Sequence, residues 1–194
     1  MSAGLIGIVV ASYLIGTIPT ARIVTRGSGV DPSREGSRNP GASNVYRLAG
    51  RAAGATVLVV DMLKGVLPAA FGYAVDGRGL AAACGLAAVV GHVVPATRRF
   101  RGGKGVATAG GMALVLWPAV SVVLIVVFVV FALVVRIASV GSIAMAAGLP
   151  IGVAATGRPA FEIGVAALVA ALVVARHHDN IRRLLRGEER VVPR

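Results

Sequence analysis

Long apolar stretches separated by short polar segments make up most of this sequence. Seven of the stretches predict helices, at about 3–22, 52–74, 79–97, 105–116, 118–135, 138–156 and 160–176. Most of them approach the ~20 residues that a helix needs to cross the hydrocarbon core of a bilayer. The pattern therefore predicts an all-α, polytopic integral membrane protein with seven transmembrane helices. It also predicts one membrane domain over residues 1–194, with no separate soluble domain.

The region 105–135 is short for two full crossings. Trp117-Pro118 divides it, because proline lacks a backbone donor and clashes with the preceding turn, and Gly110-Gly111 loosens the segment before the break. An interrupted, glycine-rich helix is tolerated at membrane depth where it lines a cavity. We interpret the region as two shortened or tilted segments. Six crossings, or a re-entrant segment, are the alternatives.

The basic residues predict the orientation. Of the 20 Lys and Arg, all but Lys64, Arg78 and Arg158 lie in or beside the connections 22–51, 98–104 and 136 and the tail from 176. With seven crossings these regions fall on one side of the membrane. By the positive-inside rule that side is cytoplasmic, which puts the N-terminus outside and the C-terminus in the cytoplasm.

Composition narrows the function classes. The chain is 56% hydrophobic with a mean hydropathy of +0.82, and its net charge is +12. The charge is not interleaved with aromatic residues on a soluble face, so it favours membrane orientation and anionic headgroups over nucleic acid. Cys84 is alone, which excludes a disulfide framework, and three histidines without a carboxylate cluster argue against a metal centre. The sequence also lacks His-x4-Asp and Gly-x-Ser-x-Gly motifs, and nothing in it indicates a cofactor.

The first polar segment is 36–44, followed by Arg47. It contains Gly36 and Gly41, together with the hydrogen-bonding side chains of Ser37, Asn39, Ser43 and Asn44. Glycines let the backbone approach a ligand closely, and exposed N–H groups in such turns bind anions. Arg47 is suited to holding phosphate oxygens in pairs. An ordinary solvated turn explains the segment equally well.

The second polar segment is the glycine loop, 102–105, with the sequence Gly102-Gly103-Lys104-Gly105. It precedes a predicted helix, and a helix N-terminus preceded by glycines and a lysine favours phosphate. It is neither a Walker A loop nor a dinucleotide fingerprint, because Arg98, Gly105 and Thr108 occupy positions where those motifs need other residues. The competing interpretation is a positive-inside anchor.

The third polar segment, 177–180, follows the last apolar stretch. His177 and Asn180 are three apart and share a helix face, which favours a site, whereas an amphipathic interfacial helix explains the following Arg and Leu residues. Within the predicted spans, Asp61 and Lys64 predict an ion pair on one helix face. For His92, a structural role and a site role both remain open.

Taken together, five motifs in order resemble the bacterial acyltransferases that use acyl phosphate to acylate glycerol 3-phosphate. They are 36–47, Asp61-x-x-Lys64-Gly65, Gly91-His92-x-x-Pro95, 102–108 and His177-x-x-Asn180-Ile181-x-Arg183-Leu184. The resemblance implies catalytic roles for Ser37, Arg47, Lys104, His177 and Asn180. It implies substrate binding by Gly36, Asn39, Gly41, Asn44, His92, Gly102, Gly103, Gly105 and Ser142. The sequence departs from the family at Arg38, commonly Gly, and at Ser43, commonly Thr.

The resemblance also implies a reaction. Glycerol 3-phosphate would attack acyl phosphate through its 1-hydroxyl, giving 1-acylglycerol 3-phosphate and phosphate, with no metal or cofactor. Either His177 or the phosphate of the substrate would act as base. The enzyme would lie among the lipids of the bacterial inner membrane, with its site facing the cytoplasm, and would be compatible with coupling to an enzyme that produces acyl phosphate. The alternative function is a transporter or binding protein for an anionic solute. Such folds usually show two related halves, and 1–97 does not resemble 98–194.

Overall fold

The computed structural model describes residues 2–191, and every regular element in that range is helical. The α-helices are α1 (Ala3–Gly16), α2 (Thr20–Val24), α3 (Ala42–Val93), α4 (Val106–Leu116), α5 (Pro118–Val134), α6 (Ala138–Ala155), α7 (Ala160–Ala175) and α8 (His178–Leu185). A short 3₁₀ helix, Ala96–Arg98, precedes the glycine loop. The prediction of an all-α protein is confirmed. The chain divides into two compact units, residues 1–116 and 117–194.

The first predicted helix is interrupted in the structure. The segment 3–22 forms α1 and then α2, with Pro19 at the N-terminal boundary of α2. The Ile18 carbonyl in the connection accepts a hydrogen bond from the Thr20 N–H at 2.9 Å. A proline near the end of the apolar stretch has therefore ended the helix earlier than hydropathy alone predicts, because proline supplies no backbone donor.

Helix α3 is a hydrogen-bonded run with two breaks. Non-helical backbone occurs at Gly50 (φ +88°) and at Asp76-Gly77. A Cβ atom on Gly72 would lie 2.8 Å from the Leu80 carbonyl oxygen, so the arms before and after Gly77 lie against each other. The separate helices predicted at 52–74 and 79–97 are these two arms.

The interpretation of 23–51 as a loop was wrong over its last part. Residues from Ala42 onward are helical, up to the break at Gly50. Nothing in 42–49 opposes a helix, since it contains neither proline nor glycine, and Gly41 precedes it with extended backbone. Asn44 and Arg47 consequently lie on a helix and not in a turn.

The second unit contains α5 to α8, and the predicted bounds of α5, α6 and α7 agree with the structure within one residue. The predicted break before Pro118 is present, with Trp117 in a non-helical conformation. The buried Trp117 ring donates its Nε1–H to Glu162 Oε2 of α7 at 2.6 Å. On α6, Gly148 and Gly152 lie against Leu124 and Val120 of α5, so the two helices pack closely there.

Two helical regions are long and apolar enough to cross a membrane by themselves, Ala42–Arg98 and Ala138–Ala155. The pair Ala160–Ala175 and His178–Leu185 adds a third if its 58° bend lies within one span. Large apolar side chains also face outward, as at Ile151 (70% exposed) and Val134 (76% exposed). Outward apolar faces of this kind fit contact with lipid.

Candidate active site

The first polar segment is organised by the buried side chain of Asn44. Its Nδ2 group donates to the carbonyls of Pro32 (3.0 Å) and Glu35 (3.1 Å). Its Oδ1 atom accepts the Ser37 N–H at 2.9 Å. Both amide hydrogens are therefore used within the loop, so Asn44 fixes the loop from the first turn of α3.

Gly36 and Ser37 lie directly over this amide. Gly36 has φ +59°, and a Cβ atom there would overlap Asn44 Oδ1, so both conformation and space require glycine. Ser37 is half-buried, and within residues 2–191 its hydroxyl makes no hydrogen bond to another side chain or backbone group. That hydroxyl is consequently available to a ligand.

The rest of the loop is exposed or half-buried. The Ser33 hydroxyl and amide donate to the Asp31 carboxylate, and these hydrogen bonds lower the pKa of Asp31. The Gly41 N–H donates to the Asn39 carbonyl at 2.9 Å, immediately before α3 begins. Arg47 is half-buried and lies about one turn after Asn44 on the same helix, so one short helical segment carries both.

The glycine loop is packed under the end of α3. Gly102, Gly103 and Gly105 are buried, whereas Lys104 is half-buried. The Gly103 N–H donates to the His92 carbonyl at 3.1 Å. A Cβ atom on Gly103 would overlap the His92 ring, and one on Gly102 would overlap the His92 carbonyl. His92 and the loop are therefore in contact, and glycine is needed at both positions because the His92 carbonyl and ring occupy the space of a side chain.

The loop leads directly into α4. Gly105 has φ +82°, and its carbonyl accepts the Ala109 N–H at 2.8 Å. The first N–H groups of α4 thus follow Lys104 immediately and have no intrahelical acceptors. Below the loop, the predicted ion pair is confirmed, with Lys64 Nζ 2.7 Å from Asp61 Oδ1 and both side chains 4% exposed.

The second unit holds the remaining predicted site residues. Ser142 is buried in α6 and donates to the Ala138 carbonyl at 2.9 Å. His177 is 1% exposed at the start of α8, with Nδ1 2.7 Å from the Val173 carbonyl. Because a carbonyl only accepts, we assign a proton to Nδ1, and in the neutral ring the lone pair is then on Nε2.

Glu189 is a functional candidate that sequence analysis missed. Asn180 Nδ2 donates to Glu189 Oε1 at 2.7 Å, and Arg183 Nε donates to Oε2 at 2.8 Å. The Glu189 side chain is only 6% exposed. An acidic pair, Glu188-Glu189, inside a basic tail was the only signal available for it. Within residues 2–191, no three His, Cys, Asp or Glu side chains are grouped to hold a metal ion.

Comparison with known proteins gives a consistent result. A family profile described as glycerol-3-phosphate acyltransferase matches residues 6–187. The glycerol-3-phosphate acyltransferase of Geobacter sulfurreducens is 41% identical over 182 residues, covering 92% of each chain. That of Shewanella sediminis is 43% identical over 192 residues, covering 97% of this chain and 94% of the relative.

Solved structures are similar as well. The crystal structure of PlsY (YgiH), an integral membrane glycerol 3-phosphate acyltransferase, in its glycerol 3-phosphate form has a TM-score of 0.94 at 34% identity. The match covers 98% of this chain and 96% of that chain. The lysophosphatidic acid form of PlsY has a TM-score of 0.91, also at 34% identity, covering 97% and 95%.

Proposed function

The chain belongs to the glycerol-3-phosphate acyltransferase family, and on that premise we propose that it acylates the 1-hydroxyl of glycerol 3-phosphate. The product is 1-acylglycerol 3-phosphate, a lysophosphatidic acid, which commits the glycerol backbone to phospholipid synthesis. A structural relative that covers nearly the whole chain was solved in forms named for glycerol 3-phosphate and lysophosphatidic acid. Those molecules are the acceptor and the product of this reaction.

The donor in this proposal is an acyl phosphate. The oxygen of the 1-hydroxyl attacks the acyl carbonyl carbon, and the bond from that carbon to the phosphate oxygen breaks. Phosphate leaves with the electron pair, and the hydroxyl proton passes to a base. Because the donor is already activated, no covalent enzyme intermediate is needed, and the protein contributes positioning and charge stabilisation.

The observation that carries the proposal is the geometry of the glycine loop. Gly102 and Gly103 have no room for side chains, and the loop ends at the N-terminus of an eleven-residue helix, α4. Backbone N–H groups and the helix dipole favour an anion there, and Lys104 adds a full positive charge. We assign a substrate phosphate to this loop, with Arg47 as a second phosphate-binding residue.

The neutral polar residues orient the reacting groups. The Ser37 hydroxyl, held in place through its own N–H by Asn44, is assigned to the acceptor. Asn44 then acts through the shape of the loop, with Gly36, Asn39 and Gly41 completing it. In the second unit, His177 Nε2 is the candidate base, and the phosphate of the substrate is the alternative. Asn180 and Ser142 are assigned to substrate contacts.

The location of the protein follows from the same proposal. Residues 1–194 form a single acyltransferase domain in the bacterial inner membrane, with seven crossings, the N-terminus outside and the C-terminus inside. All three polar segments then lie on the cytoplasmic side, where glycerol 3-phosphate is available and the basic residues are concentrated. An enzyme that produces acyl phosphate would supply the donor.

Phosphate release by the purified protein tests the proposal. With palmitoyl phosphate as donor, we expect release to require glycerol 3-phosphate. We expect Lys104→Ala to lower the rate by about 100-fold, because one preorganised charge contact is lost. Arg101→Ala, which removes an exposed basic residue beside the loop, is the matched control and should retain most of the activity. No release above the Lys104→Ala background from folded wild-type protein would overturn the enzyme assignment and leave transport or binding.

A further inference from the structure

A buried charged cluster lies in the first unit beneath the glycine loop. Asp61, Lys64 and His92 are 3%, 4% and 6% exposed, and all three belong to α3. The Lys64 ammonium donates to Asp61 Oδ1 at 2.7 Å and to the Ile18 carbonyl at 2.6 Å. The reaction described above uses neither Asp61 nor Lys64. Buried charges are costly, so this pair needs either a structural or a functional explanation.

Asp61 lies next to two residues that border the loop in space, His92 and Thr108. On the N-terminal side, its Oδ1 atom lies beside the His92 ring, 3.8 Å from Nδ1 and so beyond hydrogen-bond distance. The other edge of the His92 ring borders Gly103, whose N–H donates to the His92 carbonyl. On the C-terminal side, the Thr108 hydroxyl donates to the main-chain carbonyl oxygen of Asp61 at 2.9 Å. Asp61 is thus linked to the backbone before Lys104 through His92, and to the first turn of α4 through Thr108.

Close packing makes these contacts stiff. A Cβ atom on Gly65 would overlap the Thr108 carbonyl, and one on Gly111 would overlap the Met62 carbonyl. Helices α3 and α4 therefore meet backbone to backbone, immediately beside the ion pair. Because the two backbones touch at these two points, a shift of α3 at Asp61 would move the start of α4 with it.

We propose that Asp61, held by its ion pair with Lys64, is the positioning residue of the glycine loop, through its carboxylate beside His92 and its main-chain carbonyl bonded to Thr108. Lys64 anchors the carboxylate against the turn between α1 and α2, and the carboxylate holds the His92 ring against Gly103. The proposal rests on the function assigned above, in which this loop binds a substrate phosphate. Preorganised N–H groups bind an anion without having to be ordered first, so loosening the loop weakens substrate binding.

A purely stabilising pair behaves differently. Well-packed apolar residues of similar volume often replace a buried ion pair without loss of stability. The double variant Asp61→Leu/Lys64→Met should therefore keep its melting temperature, whereas it removes the contact to His92. Thr108→Val removes the second contact alone. Thr56→Val is its matched control, because Thr56 makes the same hydroxyl-to-carbonyl bond (2.9 Å to Ala52) on an exposed part of α3.

The experiment measures phosphate release against glycerol 3-phosphate concentration, with the melting temperature of each purified variant. We expect Asp61→Leu/Lys64→Met to raise KM for glycerol 3-phosphate by about tenfold or more with a smaller change in kcat. Thr108→Val should raise KM severalfold, and Thr56→Val should leave it unchanged. A KM within twofold of wild type in the folded double variant overturns the proposal. If the double variant does not fold, Thr108→Val decides in the same way. An inactive wild-type protein would instead refute the proposed function.

Discussion

Arg38 adopts a left-handed backbone conformation between two residues of the proposed site, Ser37 and Asn39. Its φ angle is +57°, and its side chain is exposed. For an L-residue other than glycine this conformation costs roughly 1–2 kcal/mol, because Cβ approaches the following carbonyl oxygen. The sequence identified position 38 as a departure from a family that commonly has glycine, and the φ angle supplies the physical reason for that preference.

Replacing Arg38 by glycine should therefore stabilise the protein. We expect Arg38→Gly to gain about 1 kcal/mol, since part of the relieved strain is offset by the greater flexibility of glycine in the unfolded chain. A thermal melt of the purified protein should show a rise of about 2–4 °C. Arg34→Gly is the matched control, an exposed arginine in the same loop without a positive φ angle. An equal or larger rise in the control would show that lost charge, and not relieved strain, is responsible.

At the scale of elements, α8 is tied to the segment that follows it. Glu189 accepts from Asn180 and Arg183, and Gly187 (φ +70°) reverses the chain between them. A buried carboxylate that receives a charged donor and an amide donor is well satisfied. The tail therefore sets the orientation of the Asn180 amide, which we assign to the substrate.

Removing this carboxylate should lower activity through Asn180. We expect Glu189→Ala to reduce kcat about tenfold or more and Glu189→Gln to reduce it less, because the glutamine oxygen still accepts from Asn180. Glu188→Ala removes the exposed neighbouring carboxylate and should be close to wild type. Phosphate release at saturating substrates measures all three variants. Equal losses in the two Glu189 variants would mean that the lost ion pair with Arg183, and not the orientation of the Asn180 amide, lowers kcat.

Element bounds were well predicted where the sequence itself marks them. Pro118 and the change from apolar to polar residues located α5, α6 and α7 within one residue. The helical stretch from Ala42 was missed because its polar residues resemble those of a loop, although neither proline nor glycine interrupts 42–49. A Cβ atom on Gly54 would lie 2.7 Å from Tyr46 Cβ, so the segment 42–49 folds back onto the part of α3 that follows Gly50.

The site was predictable by residue type and less so by contact. The resemblance to a family implied roles for Ser37, Lys104 and His177, which stay predictions. The i, i+3 spacing predicted the Asp61–Lys64 pair, which is confirmed. The bond from Asn44 to Pro32 joins residues 12 apart across a loop of irregular backbone. The partnership of Asn180 with Glu189 likewise depends on a reversal at Gly187. Neither follows a helical or strand period, so the pattern of side chains did not reveal them.

At the scale of the whole molecule, charge and apolar surface indicate how the protein lies in a bilayer. The connections before α3 and α4, and the tail after α7, carry most of the arginines, whereas Asp76-Gly77 and 156–159 together carry only Arg158. Two helical regions, or three if the bent pair α7 and α8 is one span, are long and apolar enough to cross a membrane by themselves. The shorter apolar helices α1, α4 and α5 need tilt or local thinning of the bilayer to cross, at a modest cost in free energy. Seven crossings remain our prediction because that number places all the Arg-rich connections on one side.

Cysteine labelling tests this topology. Cys84 is the single native cysteine and is fully buried, so Cys84→Ala provides a background without reactive thiols. Single cysteines are then introduced as Ser2→Cys, Ser33→Cys, Gly79→Cys, Thr156→Cys and Glu188→Cys. In intact spheroplasts, we expect a membrane-impermeant maleimide to label positions 2, 79 and 156, and to label 33 and 188 only after lysis. The positive-inside rule gives this pattern, since Arg-rich connections are retained in the cytoplasm.

Labelling of Glu188→Cys before lysis together with Ser2→Cys would mean an even number of crossings. Region 105–135 would then form one span or a re-entrant segment, and the Arg-rich tail would lie outside, which would contradict the predicted orientation.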